Sequence, residues 1–355
     1  MTAADRRTRL VEALTDRSLD GIFVTTLVNV RYLTGFTGSN GALLVPTTGD
    51  PVFFTDGRYK DQAAEELPDV EHVITRDLLG GAASRMTRGD WGVETHTLSV
   101  DAHETLTGHT TGATVVGADR VVEQLREVKD EAEIASLRSA CDISTRALQQ
   151  VLDGPLVGRT ERDVARELEH TMTELGAEAI AFDTILAAGE NTAIPHHHPT
   201  DRPLGVGDLL KIDFGARVDG YHADCTRTVV LGTADDWQRE IHGAVRAAQA
   251  AGLELLREGV AVADSDAAVR ASLESAGWLH AFTTGLGHGV GLQIHEDPFI
   301  AASHAGKLSS RTVLTMEPGI YVPGRGGVRI EDTVLVTAGA PEVLTTMTKD
   351  LLEIG

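Results

Sequence analysis

The chain has 355 residues, 42% of them hydrophobic, with 53 acids against 31 bases and a formal net charge of −22. That length accommodates two domains with sizeable cores. The acidic excess excludes a nucleic-acid partner, whose phosphates require a basic face, and it counts equally against an anionic membrane surface.

Cys141 and Cys225 are the only cysteines, too few for a disulfide framework or a Cys-rich zinc site. The first ten residues are polar and Arg-rich, with no leader-like or long apolar stretch, so the expected setting is reducing and cytoplasmic. The N-terminal third alternates strand and helix signals. Gly21-Ile22-Phe23-Val24-Thr25, Gly41-Ala42-Leu43-Leu44-Val45 and Pro51-Val52-Phe53-Phe54-Thr55 read as short buried strands, and a helix follows from Tyr59 to Leu67. Residues 121–151 read as largely amphipathic helix, with Leu125, Val128, Ile134, Leu137, Cys141 and Ile143 on or near one stripe. The charged stretch 126–130 marks a boundary, giving an α/β domain over 1–125 and a second domain over 126–355.

The second domain opens with helices. Thr160-Glu161-Arg162-Asp163 resembles a capping box, and its helix runs to about Leu175, stopped by Gly176. Strands are expected around 182–186. Two further helices are expected over 236–258 and 264–275. Helices before strands, twice over, suggest two similar α/β halves.

Each half ends in an acidic hairpin. The first runs Leu209-Leu210-Lys211-Ile212-Asp213-Phe214-Gly215, turns, and returns through Asp224 into Thr226-Arg227-Thr228-Val229-Val230-Leu231. The second runs Val313-Leu314-Thr315-Met316-Glu317-Pro318-Gly319 and returns through Glu331 into Asp332-Thr333-Val334-Leu335-Val336. With a turn about Val218 and Asp219, Asp213 and Asp224 face each other directly. Opposed like charges are destabilising unless something positive lies between them. A solvated hairpin would tolerate the acids, but these sit within apolar runs, where a carboxylate pairs or binds metal. Four such carboxylates suit more than one divalent ion.

Between the hairpins lies Gly285-Leu286-Gly287-His288-Gly289-Val290-Gly291. It does not fit the G-x-G-x-x-G dinucleotide pattern. Its glycines are expected to let the backbone pass close to a ligand or metal, with His288 as a nitrogen ligand.

The ordered set Asp213, Asp224, His288, Glu317 and Glu331 resembles the five-ligand dinuclear site of the pita-bread metallopeptidases, and within them the aminopeptidase P and prolidase group. Asp213-Phe214-Gly215, Gly287-His288-Gly289-Val290-Gly291 and Glu317-Pro318-Gly319-Ile320-Tyr321 carry the likeness, as does Gly220-Tyr221 through Ala223-Asp224 to Thr226-Arg227-Thr228. Arg31-Tyr32-Leu33-Thr34-Gly35-Phe36 and Phe54-Thr55-Asp56-Gly57-Arg58-Tyr59 resemble the same group's N-terminal domain. The resemblance implies an α/β creatinase/prolidase-like domain followed by a pita-bread domain of two pseudo-symmetric halves. It implies an exopeptidase that hydrolyses the bond between an N-terminal residue and proline by attack of a metal-bridging hydroxide.

In that reading Asp213 chelates one ion, Asp224 and Glu331 bridge both, and His288 and Glu317 hold the other. Glu317 shuttles the proton of the nucleophilic water. His196 and His295 polarise the scissile carbonyl and steady the tetrahedral intermediate, and Arg329 and Tyr321 match positions near the site. His197 and His198 are read as solvated. Two divalent ions balance four carboxylates in charge, whereas one ion leaves two charges uncompensated in a partly buried site. Oxygen-rich ligation with one imidazole favours Mn²⁺, with Co²⁺, Fe²⁺ or Zn²⁺ as alternatives. The implied partners are a small peptide with proline in second position and a second copy of the chain, in a homodimer. One departure stands out: many relatives carry a His four residues before the ligand His, and Thr284 stands there. The competing expectations are an amidohydrolase acting on a small zwitterion, as ectoine hydrolases do, and a non-catalytic binding protein on the same fold.

Overall fold

A computed structural model describes residues 1–355. It divides into two compact units, Met1–Arg126 and Glu127–Gly355.

The first unit is built on one mixed sheet. Its strands are β1 (Gly21–Val24), β2 (Ala42–Pro46), β3 (Val52–Thr55), β4 (Glu71–Ile74), β5 (Gly89–Val93) and β6 (Ala113–Gly117), in the order β4-β3-β2-β1-β5-β6. β1 is apolar along its whole length and β3 up to its last residue, Thr55, and both are buried on both faces, as central strands covered by helices must be. The helices are α1 (Ala3–Asp16), α2 (Leu27–Thr34), α3 (Lys60–Glu66), α4 (Leu78–Ala83) and α5 (Val100–His109). A full capping box between Thr2 and Asp5 starts α1.

The stretch 121–151 is two helices, α6 (Val121–Glu127) and α7 (Glu131–Leu152), where periodicity suggested one. The break has a local cause. Asp130 takes extended backbone and its side chain accepts from the backbone N–H groups of Ala132 and Glu133, while the Glu133 side chain reaches back. This capping box satisfies orphan donors that a continuous helix would not present, and it outcompetes the apolar stripe. Helix α8 (Glu161–Glu174) follows, capped by the Thr160 hydroxyl on Asp163 N–H.

The second unit continues with β7 (Ala179–Ile180), β8 (Ile185–Ala188), β9 (Leu209–Phe214), β10 (Ala216–Val218), β11 (Tyr221–His222) and β12 (Cys225–Leu231). Helices α9 (Asp236–Leu253) and α10 (Val262–Ser275) come next. Then follow β13 (His288–Gly289), β14 (Glu296–Phe299), β15 (Val313–Met316), β16 (Gly319–Val322), β17 (Gly326–Arg329), β18 (Asp332–Leu335), β19 (Glu342–Val343) and β20 (Glu353–Ile354). The two main sheets run β20-β12-β9-β8 and β14-β13-β15-β18-β19.

Strand alternation decides what lies between these sheets. In β9, Leu210, Ile212 and Phe214 join a core with Leu148 of α7 and Leu168 and Met172 of α8. In β15 and β18, Leu314, Met316 and Val334 join a second core with Val245 of α9 and Val269 of α10. A period of two then turns Lys211 and Asp213, and likewise Thr315 and Thr333, to the opposite faces. Those faces meet. Thr226 Oγ1 donates to Glu331 Oε2 at 2.6 Å, Thr333 Oγ1 donates to the Asp224 carbonyl at 2.7 Å, and Glu331 N–H donates to the Thr226 carbonyl at 3.1 Å.

Candidate metal centre and active site

In the first hairpin, Asp213 opposes Thr226 and Phe214 opposes Cys225. The turn is Asp219-Gly220, both residues at positive φ (51° and 83°), between paired Val218 and Tyr221. Asp-Gly supplies the left-handed backbone of a two-residue type I′ turn. The turn therefore centres one residue later than expected, and the register moves by two. Asp213 does not face Asp224 directly. A two-residue shift keeps the side-chain face, however, so the two acids are diagonal neighbours on the inner side.

In the second hairpin, Met316 opposes Asp332 and Gly319 opposes Arg329. The same register places Glu317 opposite Glu331. The two hairpins thus present their acids differently, diagonally in one and face to face in the other.

His288 enters from β13, its N–H donating to Thr315 Oγ1 at 3.1 Å. Its Nδ1 lies 3.0 Å from the Gly289 carbonyl, an acceptor that requires the proton on Nδ1. Nε2 is left with its lone pair, the arrangement of a metal-ligating imidazole. It lies 3.4 Å from Glu317 Oε1 and 3.6 Å from Asp224 Oδ2. The flanking glycines serve the fold rather than a ligand. A Cβ on Gly287 would meet the Thr315 carbonyl oxygen at 2.2 Å, and one on Gly289 the Asp297 carbonyl oxygen at 2.2 Å. Close backbone approach of neighbouring strands is what they permit.

Ligand atoms of Asp224, His288 and Glu331 all lie within 4.8 Å of one another. Asp213 Oδ1 is buried with no hydrogen-bond partner. Unpartnered oxygen and convergent buried carboxylates are costly in a bare protein, and they suit divalent cations. The electrostatics agree. Burial, then the neighbouring Glu331, Asp213 and Glu317, holds the Asp224 carboxyl well above the usual range. Burial and the charges of Glu317 and Asp213 do the same for Glu331. Burial raises Glu317 to about 7, with Arg329 offsetting part of the effect. Burial lowers His288 to about 4.

Arg329 is buried among these acids. Burial opposes its charge, but Tyr321, Asp213, Glu331 and Glu317 outweigh that and raise its pKa further. It donates to an Asp213 carboxylate oxygen, to Thr226 Oγ1 at 3.0 Å, to Tyr321 Oη at 2.8 Å and to the Pro195 carbonyl at 3.3 Å.

The acids and His288 line one cavity of about 460 Å³, within the range of small-molecule sites. His196 and His295 line it too. The His295 ring meets His288 edge-on, 4.3 Å between centroids, and burial lowers its pKa. His197 is not solvated. It is buried, with Nε2 2.9 Å from Glu161 Oε2. His198 is on the cavity wall. The expectation that both are solvated therefore fails at His197, which finds Glu161, and holds at His198, which is exposed on that wall.

Residues not anticipated complete the site. Lys211 Nζ donates to the carbonyls of Thr192 (3.2 Å), Ile194 (2.6 Å) and Pro195 (3.2 Å), the segment leading into His196. Its signal in the sequence was a lysine inside an apolar strand. Arg227 donates to the Glu331 carbonyl at 2.5 Å and to Asp332 Oδ1 at 2.7 Å, fixing the backbone that carries Glu331. Phe182, Asp183, Ile185, Ile294 and Phe299 line the remaining wall, with Thr284 near Tyr321.

Two matched acidic hairpins around one imidazole, in a cavity of peptide size, define a metal-dependent hydrolase. The chain belongs to metallopeptidase family M24, whose match covers residues 135–338. The Creatinase/Prolidase N-terminal domain matches residues 6–128. The pita-bread architecture with a creatinase-like N-terminal domain, expected from the motifs, is thus the fold of this protein.

A Xaa-Pro dipeptidase of Pyrococcus furiosus is 34% identical over 350 residues, covering 98% of this chain and 99% of its own. A solved Xaa-Pro dipeptidase from Bacillus anthracis has a TM-score of 0.93 at 32% identity, over 99% of this chain and 100% of that one. An X-Pro aminopeptidase from Thermotoga maritima has a TM-score of 0.91 at 32% identity, over 98% and 99%.

Proposed function

We propose that the protein releases the N-terminal residue from peptides with proline in second position, using two divalent metal ions, most suitably Mn²⁺. One observation carries the metal reading: three buried carboxylates, the partly buried Glu317 and the free Nε2 of His288 converge with no cation among them but Arg329. The relatives named for Xaa-Pro cleavage support the substrate class. Proline has no amide N–H, so a site for such bonds must hold the substrate without that donor.

Asp213, Asp224, His288, Glu317 and Glu331 would hold the ions, with Asp224 and Glu331 shared. Bound divalent ions supply Lewis acidity and a water acidic enough to act as nucleophile near neutral pH. The other steps belong to this chain's residues. Glu317, partly exposed on the cavity wall, is placed to take and return a proton. His295 and His196 reach into the cavity to donate to the scissile carbonyl oxygen as negative charge develops there. Arg329 orients Asp213, and Lys211 sets the segment bearing His196.

Catalysis is assigned to residues 126–355, supported by the family match at 135–338. A cytoplasmic homodimer accompanies this reading through family resemblance; no helix is long and apolar enough to cross a membrane. The test is a manganese-supplemented assay of Xaa-Pro peptides against matched Xaa-Ala peptides. Hydrolysis confined to the proline series is expected, and hydrolysis of neither series would refute the proposal.

A further inference from the structure

A free Xaa-Pro dipeptide brings two charges into the cavity, an ammonium and a carboxylate one residue apart. The acidic wall suits the ammonium. The catalytic unit offers little for the carboxylate. The one cationic side chain on its cavity wall, Arg329, is 2% exposed and donates to Asp213, Thr226, Tyr321 and Pro195. Freeing it would strand the buried Asp213 carboxylate. The one charged side chain on the wall outside the metal and arginine cluster, Asp183, is exposed and negative. The remaining side-chain donors are the Thr284 hydroxyl and the imidazoles of His196, His198 and His295, which serve a neutral carbonyl oxygen as well as they serve an anion.

The rest of the wall is apolar. Phe182, Ile185, Ile294 and Phe299 line it. Phe299 is 48% exposed, and its ring centroid is 6.4 Å from that of His288. That separation is the span of about two extended residues, at roughly 3.3–3.6 Å each. A peptide continuing past proline carries its carboxylate out of the cavity and lays a neutral residue on this wall. A dipeptide instead brings a carboxylate against phenyl and alkyl groups that offer it no partner, at the cost of part of its hydration.

We infer that the substrate is an oligopeptide running beyond proline, and that Phe299 forms an apolar subsite for the residue after it, so that a free dipeptide is a poor substrate. This rests on the proposed Xaa-Pro activity and names the substrate length that site selects.

The test uses the full-length, manganese-loaded enzyme with three probes: Ala-Pro, Ala-Pro amide and Ala-Pro-Leu amide. The first two share a shape and differ in the carboxylate charge. The expected kcat/KM for Ala-Pro amide exceeds that for Ala-Pro by about ten-fold or more, and leucine raises it again. Phe299→Arg should raise the ratio of acid to amide by about ten-fold by supplying the missing cation. Phe299→Ala should remove the gain from leucine, bringing kcat/KM for Ala-Pro-Leu amide down to that for Ala-Pro amide measured on the same variant. Cleavage of Ala-Pro equal to or faster than its amide by wild type overturns the inference and leaves the Xaa-Pro activity standing. An acid-to-amide ratio unmoved by Phe299→Arg overturns the assignment of Phe299. Failure on all three probes refutes the Xaa-Pro activity itself.

Discussion

Lys129 Nζ lies 2.7 Å from Glu296 Oε1, with both side chains out of solvent, and the pair joins the approach to α7 to the residue after His295. Removing one member of a buried ion pair leaves an uncompensated charge, at a cost of about 3–5 kcal/mol, whereas replacing both with apolar groups is often neutral. Lys129→Met should therefore lower stability by that amount. Combining it with Glu296→Leu should recover most of the loss. Urea unfolding at neutral pH measures both.

Asp224→Asn should reduce bound manganese, read by elemental analysis after dialysis, and cut turnover to below about 1%. The variant keeps the backbone contacts of this position, since the Asp224 N–H and carbonyl both meet the Thr333 hydroxyl. Full turnover with full metal content would contradict the shared-ligand role.

The metal-free protein should lose stability as pH rises from about 4.5 to about 7. Glu317 has its carboxyl raised to about 7 in the fold against 4.5 for the free side chain, and Asp224 and Glu331 are raised in the same direction. Between those limits the unfolded chain has released protons that the folded chain still holds. Stability therefore falls with pH, being fully present below the unfolded value and lost through the folded one. Manganese should remove this slope, and Glu317→Gln should shrink it. Thermal melts across that pH window, with and without metal, give the answer.

Lys211→Met should slow turnover by about ten-fold with the metal content unchanged, because three carbonyls before His196 lose their common donor. The unpaired carbonyls should also cost about 2 kcal/mol of stability. A matching effect from His196→Ala, with no further loss in the double variant, would place both residues on one path.

Much of this architecture is written in alternation. Asp213 and Glu317 sit at the ends of apolar strands, and a period of two sufficed to send them to faces away from the helices. The finer arrangement was not legible, for physical reasons. The turn at Asp219-Gly220 depends on backbone handedness, so the pairing of Asp213 with Thr226 could not be read from the distance between two acids along the chain. The break at Asp130 is a contest between a cap and an apolar stripe, and local pattern does not say which wins. His197 finds Glu161 and Lys211 finds the carbonyls of 192–195 across folded space, where no spacing rule applies. Phe299, one aromatic after Pro298, carried no signal until the cavity gave it a neighbour in His288.

The two hairpins each have a hydrophobic core at their back, one shared with α7 and α8, the other with α9 and α10. An ion chelated by acids from both would act as a rivet through two separately packed plates. Binding energy that favours only the folded state raises its stability by mass action, and here it would be delivered at the seam. Chelation should then loosen the seam before either plate, with amide exchange quickening first at the Thr226–Glu331 contact. The metal would be a fastener of the enzyme as well as its reagent.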